Sequence, residues 1–396
     1  MGFRRVTTLV ATGTLALAGI AGVTYGLSSA AAPVAKPVAK ASHPAGTSAH
    51  TTAHVVLDGQ RVKTITLEGS RPYTPHAAKG TFDDYHCTLL NPHVTTNSYI
   101  VGSQFLPESN EVHHSIVFLV PPSQAKAAEQ ADQNGKGWSC FGEAPIPGSS
   151  SIGFAPLPWL MAWGPGSPEN IEPKGTGLLL PAGSLVIMQI HYNLLIGDKP
   201  VQSKAQLLTV PATTPLKPLS LSLYVAPPDL PCPAAVHGPL CNRAASLAYT
   251  GKEFGQSTVN LVNGMEEVCG RNPVSPPGGD TTTCTWPVGK AGNIVVAAAH
   301  MHLLGVAMKV VLDPGTPHAV TILNVPNYNF HDQRSYDMAK PVAVVPSDRM
   351  QVTCTYDPKL RQEIPLLRNL PPQYITWGWG SADEMCLALV WMTPPG

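Results

Sequence analysis

The chain has 396 residues, 43% of them hydrophobic, enough apolar material for two packed cores of ordinary size. Charged residues make up 13%, and 25 basic side chains balance 25 acidic ones, which leaves no long-range field to recruit nucleic acid or an anionic bilayer. Forty-one prolines and 35 glycines, spread between short apolar runs, are the punctuation of an all-β chain and exclude one built on long amphipathic helices.

At the N-terminus, Arg4 and Arg5 precede an uncharged stretch from Val6 to Ile20 and the small residues Ser28 to Ala32. This is the layout of a secretory signal peptide over 1–32, cleaved near Ala30. A retained anchor is the competing reading, since the uncharged stretch runs on to Ala35, but its Gly, Thr and Ser make it a poor span, and no stable membrane insertion is expected after cleavage. Residues 33–54 offer almost nothing to bury and read as a disordered linker, in which His43, His50 and His54 are solvated. A secreted, extracytoplasmic location makes the eight cysteines candidates for disulfides rather than for a thiolate metal cluster.

The first strand-rich block spans 55–212, and its first clear strand lies in Thr81-Phe-Asp-Asp-Tyr-His-Cys87. Glu111 to Val120 is a strand with His113 and His114 at its start; neighbours on a regular strand face opposite ways, so the two serve one site only if the backbone bulges. Gln124 to Asn134 is a short helical candidate. Leu180 to Tyr192 reads as turn then strand and carries His191, which taken alone is a structural histidine. The proline-rich connection Val210 to Pro218 sets a boundary between 212 and 213, and a loop-rich insertion at about 228–284 follows, stapled by its own bridges.

In the second block, 213–396, the run Asn293 to Gly305 is β-branched and small apolar, with no charge, and carries His300-Met301-His302. Side chains two apart on a strand point the same way, so His300 and His302 share a face and suit a soft or borderline metal better than magnesium or calcium; a polar seam of satisfied histidines is the plainer alternative. Val345 to Asp357 repeats the turn-then-strand pattern around Pro181. On the last strand, Asp383 to Trp391, Met385 shares a face with Leu387 and Leu389, where a methionine is ordinarily core. His76, His86, His93, His237, His318 and His331 lack a second ligand type at useful spacing and read as structural or solvated.

The ordered set His113-His114, Gln-Ile-His191-Tyr192, His300-x-His302 and Asp383-Glu-Met385-Cys386 resembles the ascorbate-dependent type II copper monooxygenases, the family of peptidylglycine α-hydroxylating and dopamine β-monooxygenases. The resemblance implies two antiparallel β-sandwich (jelly-roll) domains in tandem, one copper in each, facing each other across a solvent-filled cleft. His113, His114 and His191 then look like ligands of an electron-transfer copper, and His300, His302 and Met385 like those of an oxygen-binding copper, the thioether favouring Cu(I). It further implies an oxidoreductase that uses O₂ and ascorbate to hydroxylate a C–H bond of a small-molecule substrate. By similarity Cys87 pairs with Cys140 and Cys354 with Cys386; proximity assigns Cys232 to Cys241 and Cys269 to Cys284. Tyr85 resembles a family tyrosine near the first copper, and a packed strand tyrosine is the equal alternative.

The positions where the peptide-hydroxylating member holds its substrate's carboxylate are here Ala298, Leu387 and Leu389, an apolar wall that points to a largely apolar substrate. The alternative from another class is a secreted copper-binding or copper-carrier protein without catalysis. A metallohydrolase is a poorer reading, since no Glu stands at a base position beside His300 and His302.

Overall fold

The structure, a computed structural model, describes residues 56–57, 60–77, 82–132, 135–140, 146 and 157–396; the expected signal peptide, the linker and His43, His50 and His54 lie outside them. Residues His54–Gly396 form one compact unit.

Short alternating runs give short strands. In the first half these are β1 (Lys63–Glu68), β2 (Asp83–Leu90), β3 (Ser98–Leu106) and β4 (Val112–Val120), then α1 (Ala125–Ala131), β5 (Trp159–Trp163), β6 (Thr176–Leu180), β7 (Leu185–Asn193) and β8 (Lys204–Pro211). After them come β9 (Ser220–Val225), α2 (Arg243–Phe254), α3 (Gln256–Val268), β10 (Thr281–Pro287), β11 (Gly292–His300), β12 (Gly305–Leu312) and β13 (Val320–Val325). The chain ends through β14 (Ser335–Val344), β15 (Arg349–Tyr356) and β16 (Leu387–Thr393).

Four main sheets result, with strand orders β6-β3-β8-β1, β2-β7-β4-β5, β9-β16-β11-β14 and β10-β15-β12-β13. All pairings named here are antiparallel. The first two sheets share an apolar layer that includes Ile100, Leu207, Val117 and Val186, and the last two share one that includes Ile294, Val390, Val310 and Cys354. The expectation of two β-sandwich (jelly-roll) domains in tandem is corrected: the chain is all-β, its small antiparallel sheets set out as a four-bladed β-propeller. Alternation reports which face of a strand is buried, and that pattern is the same whichever sheet covers the face.

The stretch between Cys232 and Cys284 also differs from its loop-rich reading, because it contains α2 and α3. The Asn242 side chain caps α2 by accepting from the Ala245 N–H, and Leu247, Phe254, Val262 and Met265 turn inward at helical spacing. Flanking prolines and patchy hydrophobicity hid that period. Among the described residues no helix is long and apolar enough to cross a membrane.

Disulfides join Cys87 to Cys140, Cys232 to Cys241, Cys269 to Cys284 and Cys354 to Cys386, and no cysteine is free. The last bridge fixes the segment entering β16 to β15. Replacing Cys354 and Cys386 together by Ala is expected to lower stability by about 2–4 kcal/mol in urea denaturation, since the bridge restricts the unfolded chain. An unchanged midpoint and slope would remove that role.

Candidate functional site

Strands β4 and β7 bring three histidines together. His114 lies opposite His191, the next pair is Tyr192 with Val112, and His113 is therefore the extra residue of a β-bulge. The bulge removes the strict alternation that would have sent adjacent histidines to opposite faces. Both rings come within 4.7 Å of the His191 ring, centre to centre.

Strand β2 frames this trio from the other side of β7. Tyr85 pairs with His191 in register and stacks on its ring at 4.0 Å. The Tyr85 hydroxyl donates to the Trp379 carbonyl at 2.6 Å, which leaves its oxygen to accept from His114 Nε2 at 3.2 Å. Asp83 Oδ1 lies 2.7 Å from His191 Nε2, and Ser381 donates its backbone N–H and its hydroxyl to the same carboxylate at 3.1 and 2.8 Å.

The second pair is held differently from the expectation of one rigid strand. β11 ends at His300, and His302 stands in the turn before β12. The turn is fixed by the Tyr328 hydroxyl, bonded to both the N–H and the carbonyl of Met301, and by Glu384, whose carboxyl accepts from the N–H groups of His302, Leu304 and Met385 at 2.9, 2.6 and 3.2 Å. The His302 Nδ1 contact with the Asp383 carbonyl at 3.0 Å requires a proton on that nitrogen, because a carbonyl only accepts. His300 Nδ1 meets the Gln333 side-chain oxygen at 2.8 Å, so it donates as well.

Burial, with the neighbouring rings second, holds the His113 and His114 imidazoles well below the usual range. Burial lowers His300 and His302 too. These four rings are neutral at pH 7. Burial also pushes the Glu384 carboxyl up to about 8, against the pull of its three N–H donors.

The two sets are not separated by a solvent-filled cleft. His113 and His302 lie 6.4 Å apart and His114 and His300 6.2 Å, ring centre to ring centre, so the five imidazoles form one cluster, in which His113, His191 and His302 are buried and His114 and His300 half-buried. His113 Nε2, His191 Nδ1 and His302 Nε2 have no hydrogen-bond partner among the described residues. Even so, among the described residues no group of three or more His, Cys, Asp or Glu side chains is set to hold a metal ion. Met385 packs with Trp377, Leu387 and Leu389 in an apolar cluster. The expected copper ions, their ascorbate reductant, the monooxygenase activity and the copper-carrier alternative are corrected on this ground.

Beside the cluster lies a cavity of about 480 Å³. Tyr85, His114, His300 and Met385 line it, as do Ala298, Leu387 and Leu389. Its remaining wall is rich in indole, from Trp159, Trp163, Trp377, Trp379 and Trp391.

Sequence reasoning missed Asp83, Gln333 and Glu384, which hold three of the five histidines. Asp83 and Glu384 stood inside the motifs around Tyr85 and Met385, where their acidity among apolar neighbours was the available signal. Gln333 sits in an aperiodic loop that gave none.

The profile of the copper type II ascorbate-dependent monooxygenase C-terminal domain matches residues 280–394. No curated relative matches the chain. Among solved structures the chain is similar to a peptide-N(4)-(N-acetyl-β-D-glucosaminyl) asparagine amidase, at 6% identity and TM-score 0.29 over 84% of this chain and 96% of that one. Allantoicase from Saccharomyces cerevisiae gives 7% identity and TM-score 0.19 over 86% and 92%, and a fucolectin of the striped bass Morone saxatilis 9% and 0.17 over 85% and 97%. Similarity at that level carries no argument. The profile match covers less than a third of the chain, and with a propeller arrangement and no metal-holding group among the described residues it does not extend the family's fold or copper chemistry to this protein.

Glu384→Gln tests the clamp on the His302 turn. Its amide NH₂ replaces one acceptor and faces a backbone donor, so an expected loss of about 1–3 kcal/mol appears in chemical denaturation. Wild-type stability in this variant would show that the carboxyl is dispensable there.

Proposed function

We propose that the chain is an exported binding protein for a small, largely apolar organic molecule. The observation that carries the reading is the cavity of about 480 Å³, a volume within the usual range for small-molecule sites, whose walls combine a majority of apolar and aromatic residues with polar ones that include His114, His300 and Gln333. His114 and His300 supply hydrogen-bonding capacity without charge, Tyr85 braces His114, and Met385 gives the wall an adaptable surface. Tyr85, His114, His300 and Met385 are therefore the residues assigned to ligand contact. The cavity draws its lining from both the first and the second half of the chain.

Four disulfides and no free cysteine support an oxidising compartment, in keeping with the reading of 1–32 as a signal peptide. The even balance of charge supports a small or neutral partner rather than nucleic acid.

Titration with the neutral fluorescent probe N-phenyl-1-naphthylamine tests the reading. Saturable binding at one site is expected, with quenching of the indoles on the wall. Ala298→Trp puts an indole into the cavity and is expected to weaken binding at least about tenfold, or roughly 1.4 kcal/mol, with the circular dichroism spectrum retained. Binding that never saturates, or that is unchanged in this variant, overturns the proposal.

A further inference from the structure

Two imidazoles on the cavity lining have their tautomers fixed by what one nitrogen of each ring meets. The Tyr85 hydroxyl donates its proton to the Trp379 carbonyl at 2.6 Å, so it accepts from His114 Nε2 at 3.2 Å and leaves His114 Nδ1 as a bare lone pair. His300 is set through its other nitrogen. Gln333 Nε2 donates to the Phe330 carbonyl at 3.0 Å, which turns Oε1 toward His300 Nδ1 at 2.8 Å; the proton is on Nδ1 and the lone pair on Nε2. Burial keeps both rings neutral, so both lone pairs remain available.

His114 Nδ1 and His300 Nε2 meet no donor among the described residues, and they are not sealed in the protein as His113 Nε2, His191 Nδ1 and His302 Nε2 are. Both rings are half-buried and border the cavity, with centres 6.2 Å apart. The cavity is thus offered two acceptors. On the same lining, Trp159 Nε1 and Trp379 Nε1 are buried donors without a partner among the described residues. A hydroxyl is the smallest uncharged group that serves both kinds, because its proton goes to an imidazole nitrogen while its oxygen takes an indole N–H. A ketone oxygen answers the indoles alone and sets its lone pairs against those of the imidazoles. A hydrocarbon answers neither, and polar groups desolvated without a partner weaken binding.

We infer that the cavity selects an apolar alcohol, its O–H donated to the lone pairs that His114 and His300 present. This rests on the small-molecule reading above and narrows it to one functional group.

The test is displacement of bound N-phenyl-1-naphthylamine from the full chain by 2-adamantanol and by 2-adamantanone, which share a cage and an oxygen and differ in the O–H. The alcohol is expected to displace the probe at concentrations at least about tenfold lower. The Tyr85→Phe, Gln333→Met double variant removes the two acceptors that fix the tautomers, and the ratio of the two affinities is expected to fall toward one. A merely structural role for Tyr85 and Gln333 would move both affinities together and leave that ratio alone. Equal displacement, a preference for the ketone, a bound probe that neither compound displaces, or a ratio unchanged in the double variant overturns the inference and leaves the small-molecule reading standing. Failure of the probe and of both compounds to bind overturns the two together. The comparison on the unaltered chain does not depend on the variant folding.

Discussion

A carboxylate taken out of water must find donors or the fold loses several kcal/mol, and Asp83 meets that demand with groups from two distant parts of the chain. It stands at the start of β2, faces His191 on β7, and receives two hydrogen bonds from Ser381, 298 positions away in sequence. The Tyr85 hydroxyl, two residues on, reaches the Trp379 carbonyl in the same late segment. That segment is consequently held against the first half of the chain, and with it Asp383, whose carbonyl bonds His302, and Glu384, which closes the His302 turn. The five-histidine cluster follows from this arrangement, since neither pair of strands alone would bring His113 near His302 or His114 near His300.

How much of this was legible follows from what each pattern encodes. β-Branched and alternating runs located the strands carrying His114, His191 and His300, because period-two burial is written in the residues themselves. The adjacency of His113 and His114 posed the question of a bulge, and the register supplies one. Sheet arrangement was a different matter. A strand buried on one face looks alike in a sandwich and in a propeller, so the tandem jelly-roll expectation came from resemblance alone and fell with it. Helices α2 and α3 went unread because Pro, Gly and Cys around them dominate the local signal, while their inward residues are spaced too widely for a short window.

The site shows a second limit. A His-x-His pair and a distant Met establish that rings and a thioether are available, not what surrounds them once folded. Met385 lies among Trp377, Leu387 and Leu389, and His302 leaves the strand for a turn whose geometry is set by Glu384 and Tyr328. Donor type was legible in the sequence. Donor placement depends on long-range hydrogen bonds that no spacing rule contains.

Those same bonds bear on how the cavity discriminates. Burial keeps four imidazoles uncharged, and Tyr85, Gln333 and the Asp383 carbonyl fix the orientation of three of them without adding charge. His114 and His300, the two that reach the cavity, present it with polar edges and no charge. Had they been protonated, an apolar body entering beside them would have had to strip water from two cations. The desolvation that packs the histidines together is thus also what leaves the apolar cavity next to them free of imidazolium charge.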